Sequence, residues 1–242
     1  MINPALLGQE LRGMQLDVDH QERKKEIIAQ LKLIEGVLVI FDFHGKGIRV
    51  VFYCPNSSAM ERKIKLIAYI CGFEAKLHHW YTKLPAPEMR LRQMDWRILQ
   101  ILLKKPRMEI LPIARQLGIS TRTVNRRLRQ MTSSFVAYLI PVREVRKSRG
   151  VISCFLITCP EELHALIENE IRARGHKVDF VYTSLTNHFL VTLLMDNLAG
   201  AEDLLLSIKN LIGVKEARLD IMKDFIFVDS WLGETVESLT SG

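Results

Sequence analysis

Ile113-Ala-Arg-Gln-Leu-Gly-Ile-Ser-Thr-Arg-Thr-Val-Asn-Arg-Arg-Leu128 holds two short helical patterns on either side of Gly118. Ala114 lies four residues before that glycine and Val124 six after it. Two helices that cross so closely need a small residue at the contact, a backbone able to take positive φ at the turn, and a branched side chain beyond it. Ile119 supplies an apolar plug, and Ser120 is placed to cap the following helix, whose inward side is Val124, Leu128 and Met131. Upstream, Ile110, Ile113, Ala114 and Leu117 share a face, with Pro112 in the first turn where a missing N–H does little harm. Further upstream, Trp96, Ile98, Leu99, Leu102 and Leu103 mark another helix, which Pro106 ends. The spacing predicts three short helices between Met94 and Met131.

With its apolar side turned inward, the third helix presents Thr121, Arg122, Asn125, Arg126 and Arg129 outward, with Thr123 and Arg127 on the flanks and Ser120 at its start. Arginine can bond guanine in bidentate fashion, asparagine can do so to adenine, and threonine can touch the thymine methyl. No acidic residue falls between Thr121 and Met131. The surrounding charge agrees: of 34 basic and 27 acidic residues, 16 and 4 lie in residues 83–150, a local net charge of +12, against +2 before and −7 after. Positive charge concentrated in one segment is the footprint of phosphate neutralisation, so double-stranded DNA is the expected partner. Residues 135–140 and 142–146 are predicted to form a wing hairpin, from which Arg143, Arg146, Lys147 and Arg149 would touch the DNA backbone.

Outward from this centre, the two ends repeat one pattern. Near the carboxyl end, residues 151–158 read as a strand, and Leu163, Leu166, Ile167 and Ile171 as a helix. Strands at 178–184 and 189–195 follow, then a helix with Leu204, Leu205, Ile208, Leu211 and Ile212, and a strand from about 217 to 228. The amino-terminal third runs in the same order, with a hairpin across His44-Gly45-Lys46-Gly47 and a helix stop at Gly72, which points to an internal duplication. The order β-α-β-β-α-β is ferredoxin-like, with two helices on one face of a four-stranded antiparallel sheet. The expected class is α+β: two ferredoxin-like βαββαβ domains, 1–84 and 150–242, flank a winged helix-turn-helix at 85–149 that begins at the proline-rich Leu84-Pro-Ala-Pro87. The uncovered face of each sheet must be buried against another sheet, in the same chain or a partner's, so a homodimer or larger assembly is expected.

No apolar run approaches the roughly 20 residues of a membrane span, and no charged-then-apolar secretory start is present, which implies a cytoplasmic protein without membrane contact. The four cysteines form no CxxC pair and read as reduced, buried thiols. His78 and His79 are adjacent in a strand and point to opposite faces, so no metal site is expected. Neither a phosphate-cradling glycine loop nor a nucleophile motif appears, so no catalytic residue and no cofactor is assigned and the chain is expected not to be an enzyme.

The stretch Met94-Asp-Trp-Arg-Ile-Leu99, Arg107 and Ile113 through Met131 resembles the Lrp/AsnC family of prokaryotic, especially archaeal, transcriptional regulators. The resemblance covers about residues 90–230. It implies a winged helix-turn-helix followed by a ferredoxin-like, RAM-type domain that dimerises and senses a small-molecule effector, often an amino acid, and binding to promoter palindromes. This chain differs by a further ferredoxin-like repeat ahead of the helix-turn-helix. It also lacks, in Leu185-Thr-Asn-His188, the glycine and aspartate usual in the family's middle hairpin. A second architecture of this kind belongs to siroheme decarboxylases, for which His78, His79 and His188 would be the candidate residues for a tetrapyrrole's carboxylates.

Overall fold

In a computed structural model, residues 1–18, 20–72, 78–82, 84–138, 145, 149–174, 178–183, 187–228 and 230–240 are described. The elements run β1 (Glu10–Asp17), α1 (Lys24–Leu31), β2 (Val37–Phe43), β3 (Gly47–Cys54), α2 (Ser57–Cys71), β4 (His78–Thr82), α3 (Gln93–Lys104), α4 (Ile110–Leu117), α5 (Thr121–Ser133), β5 (Val151–Thr158), α6 (His164–Ala173), β6 (Val178–Thr183), β7 (His188–Met195), α7 (Leu198–Lys209), β8 (Glu216–Phe227) and α8 (Ser230–Thr240). They divide into two compact units. One holds Glu10–Lys83 and Arg143–Phe227, the two ferredoxin-like repeats; the other holds Met1–Gln9, Leu84–Val142 and Val228–Gly242, the helix-turn-helix with both ends of the chain.

The repeats match in detail. Each second helix is capped by an asparagine: Asn56 Oδ1 accepts from Ala59 N, and Asn197 Oδ1 from Gly200 N, both at 2.9 Å. Capping of this kind satisfies an N–H that the helix itself leaves without a partner. In the second repeat, Phe155, Ile157, Phe189, Val191 and Leu193 form one sheet face under Ile167 and Ile171 of α6 and Ala201, Leu204 and Ile208 of α7. In the first repeat, Lys24 at the start of α1 is buried and tied to the following hairpin. Its Nζ donates to the carbonyl of Gly45 at 3.0 Å and to that of Phe43, and pairs with Asp42 at 2.6 Å.

Where a four-stranded sheet with helices on one side finds cover for its other side is settled within the chain. The strands form one eight-stranded sheet in the order β4-β1-β3-β2-β8-β5-β7-β6, which is two ferredoxin-like sheets joined edge to edge by antiparallel pairing of β2 with β8. The twelve-residue β8 serves both repeats, pairing with β5 through Ile221 and with β2 from Met222 on. Strands β2 and β3 are buried along their entire length, as strands covered on both faces must be.

The second covering layer is the sheet itself. Gln15 on β1 and Asp220 on β8 are three strand spacings apart in the sheet, roughly 14 Å if it were flat. Yet Gln15 Nε2 donates to Asp220 Oδ2 at 3.1 Å, so the sheet coils until its two halves face each other. Arg49 Nε donates to Gln15 Oε1 at 3.0 Å, and its guanidinium lies 4.9 Å from the Phe43 ring centre. Arg218 donates to both oxygens of Asp17 at 2.6 Å and to Asp220 Oδ1 at 2.9 Å. A Cβ on Gly47 would stand 3.2 Å from the Arg218 guanidinium, so the hairpin glycine clears space for this bridge. Coiling also brings the two end strands, β4 and β6, within 8 Å of each other between Cα atoms.

All four cysteines are free and buried, and burial pushes the Cys71 thiol up to about 12. No helix is long and apolar enough to cross a membrane among the described residues.

Because Asp220 is 7% exposed and bonds both Gln15 and Arg218, Asp220→Ala should lower unfolding stability by about 3 kcal/mol. Chemical denaturation measures the loss, with Glu216→Ala, exposed on the same strand, as a control expected near zero.

Candidate nucleic-acid interface

The helix-turn-helix is built as its spacing requires. Gly118 takes φ +66, a left-handed conformation that glycine adopts without strain, and Ile119 N donates to Ala114 O at 3.0 Å to close the turn. Ile98, Leu99, Ile113, Ala114, Val124 and Met131 are buried, which sets α4 and α5 against each other and against α3. Ser120 Oγ accepts from Thr123 N at 3.1 Å and shares a 2.9 Å hydrogen bond with the Thr123 hydroxyl, so both predicted contact residues also hold the start of α5.

The outward side of α5 carries Thr121, Arg122, Asn125, Arg126 and Arg129, all exposed. Together with Gln130 and Ser133 these residues line a single open depression. None of the guanidinium groups of Arg122, Arg126 and Arg129 is ion-paired to a described residue. A helix of thirteen residues is about 20 Å long and, with side chains, about 10–12 Å across, which suits a major groove about 12 Å wide. Sequence reasoning missed Gln130 and Ser133, although both lie on the polar stripe that continues from Arg122 and Arg126 at helical spacing.

Arg127 departs from the expectation of a DNA contact. Its NH1 donates to Asp95 Oδ1 at 2.7 Å, and the side chain is only 19% exposed, with Asp95 at 1%. The other Asp95 oxygen accepts from Arg92 N at 2.9 Å, so one carboxylate closes the first turn of α3 and anchors α5. The reason lies in helical geometry: Arg127 is three residues after the buried Val124 and faces the protein side of the helix. Arg143, Arg146 and Lys147 lie outside the described residues, as does most of the predicted wing; Arg149 is exposed.

Two supports of this unit were not foreseen. Residues after α5 are held by the first residues of the chain: Ile2 bridges Ala137, Asn3 N donates to Val136 O at 2.9 Å, and Asn3 Nδ2 donates to Phe135 O at 2.6 Å and Pro85 O at 2.9 Å. Phe135 has φ +54, a strained conformation for a bulky residue, and the Asn3 bond falls on its carbonyl. Helix α8 packs on α3 with Leu232 and Val236 buried, and Lys104 pairs with Glu237. The spacing of Leu232, Val236 and Leu239 is the signal that would have found it.

A family model described as winged helix-turn-helix DNA-binding matches residues 91–134, so the chain contains a winged helix-turn-helix DNA-binding domain. No curated protein matches the sequence. Among solved structures, the siroheme decarboxylase NirDL is similar at 15% identity and TM-score 0.60, covering 99% of this chain and 82% of that one. The two share a fold along the whole chain. B. subtilis LrpC is similar at 19% identity and TM-score 0.42 over 56% of this chain and 96% of its own; E. coli AsnC at 17% and 0.40 over 55% and 94%.

Adjacent arginines should part company on substitution. Arg127→Ala leaves the buried Asp95 without its cation and should cost about 2 kcal/mol in thermal or chemical unfolding. Arg126→Ala should leave unfolding within about 0.5 kcal/mol of the parent. Asn3→Ala, which removes the bonds to Phe135 and Pro85, should cost about 1–3 kcal/mol, read by the same measurement.

Proposed function

We propose that this chain is a non-catalytic, sequence-specific transcriptional regulator of Lrp/AsnC type, with α5 entering the major groove of double-stranded DNA. The observation that carries this is the exposed face of α5: three guanidinium groups and an asparagine amide with no acidic neighbour on the helix and no ion pair to a described residue. Arg122, Asn125 and Arg126, in its first half, are the base-reading candidates; Thr121 and Arg129 at the borders suit phosphates. The coiled sheet of the two repeats is the body that carries this domain, and a small-molecule effector would act through it.

A siroheme-decarboxylase-like activity is the second reading. Its support is the shared fold with NirDL along 99% of the chain. A likeness of fold at 15% identity is compatible with many chemistries. The exposed basic face of α5 favours the first reading, because it lies on a helix-turn-helix that the DNA-binding family model matches. Of the three histidines considered for such a role, His188 opens β7, while His78 and His79 stand in β4 opposite Gln15 and Met14.

Gel-shift titration on the protein's own promoter region tests the regulator. Arg122→Ala together with Arg126→Ala should weaken binding by at least about 30-fold and relax its sequence preference, since each good bidentate base contact is worth roughly 1–3 kcal/mol. Unchanged binding would remove α5 from the interface. A tetrapyrrole absorption band in the purified protein would favour the second reading.

A further inference from the structure

We infer that the DNA site this chain reads is asymmetric and is bound by a single chain, an inference that rests on the DNA-binding reading above. Palindromic operators are read by two-fold proteins: each half-site takes its own recognition helix, and identical subunits supply two by pairing through one self-complementary surface. A ferredoxin-like repeat offers two natural surfaces for such pairing, the uncovered face of its sheet and its outer strands. The uncovered face and one outer strand of each repeat are occupied within this chain. Strand β2 pairs with β8, and β4 and β6, which end the sheet, approach within 8 Å of each other between Cα atoms. The uncovered faces close on each other around Gln15, Arg49 and Asp220, all buried.

This closure suits unlike repeats and no other pairing. Aligned from the pairs Glu10–Cys54 and Val151–Met195 that begin the two β-ladders, Leu156 and Leu190 hold the places in the second repeat that Gln15 and Arg49 hold in the first. Thr158 stands where Asp17 stands, and His78 and Trp80 occupy the positions of Arg218 and Asp220. Two second repeats from two chains would therefore set buried Asp220 against Leu156, and Arg218 against a threonine. Two first repeats would set Gln15 and Asp17 against positions held by Trp80 and His78. The charged bridge from Asp17 to Arg218 and the bond from Gln15 to Asp220 exist only when β1 faces β8. Leaving a buried carboxylate without its partner is the kind of penalty by which a protein rejects a wrong pairing.

The homodimer expected from the sequence rested on open sheet faces seeking cover, and that cover is found inside the chain. Among the described residues, one closed sheet thus accompanies one copy of α3, α4 and α5, and the second repeat brings no further reading helix. Contact is confined to one stretch of major groove, within one helical turn of about 10 base pairs. Attraction of the +12 central segment to phosphates supplies affinity that a second half-site would otherwise provide.

The full chain, used to select from a random library of duplexes about 20 base pairs long, two helical turns, should enrich a motif without two-fold symmetry. Light scattering of the complex on a duplex carrying that motif should give one chain per duplex, with non-cooperative titration. A palindromic motif bound cooperatively by two chains would overturn the inference while leaving the DNA-binding reading intact. No enrichment, with retention equal to that of the Arg122→Ala/Arg126→Ala variant, would remove the DNA-binding reading and this inference together.

Discussion

A four-stranded sheet with helices on only one side has an apolar face that water will not tolerate, and the architecture follows from how this chain covers it. The chain holds two such sheets, and coiling of the combined eight strands turns their bare faces toward each other. The polar residues at the centre of that contact are not an accident of composition. Gln15 bonds Arg49 on the neighbouring strand, while Gln15 to Asp220 and Asp17 to Arg218 join strands three apart in sheet order. A purely apolar contact would permit many registers; a bonded set of charges permits one.

The helix-turn-helix meets the opposite requirement, to keep charge available rather than to consume it. Its internal polar groups are spent on geometry: Ser120 and Thr123 on the start of α5, Asp95 and Arg127 on the join between α3 and α5, Asn3 on the strained turn at Phe135. What remains on the outer side of α5 is unspent. Rigid support of this kind matters for a reading surface, because bidentate bonds to bases tolerate little displacement of the side chains that make them.

Much of this was legible in the residues and some was not. Gly118, Ala114, Val124 and Ser120 specify the helix pair locally, by turn conformation and spacing, so that motif and its outward face follow from the sequence. The β-α-β-β-α-β order was equally readable at both ends, since alternation and helix stops are local signals. The pairing of Arg127 with Asp95 was not legible, because a residue on the flank of a helix can turn either way and its partner lies 32 residues away. The pairing of β2 with β8 and the packing of α8 on α3 depend likewise on contacts between distant segments, which no local pattern encodes. The role of Asn3 was hidden for the same reason.

The central claim is that the exposed side of α5 is a DNA-reading surface. Hydrogen exchange of the full chain, followed by mass spectrometry with and without a duplex from the protein's own promoter region, tests it most directly. Slowed exchange concentrated in peptides spanning residues 120–133, with the eight-stranded sheet unchanged, is the predicted result. Exchange in those peptides that stays the same at DNA concentrations saturating any observed binding would contradict the account.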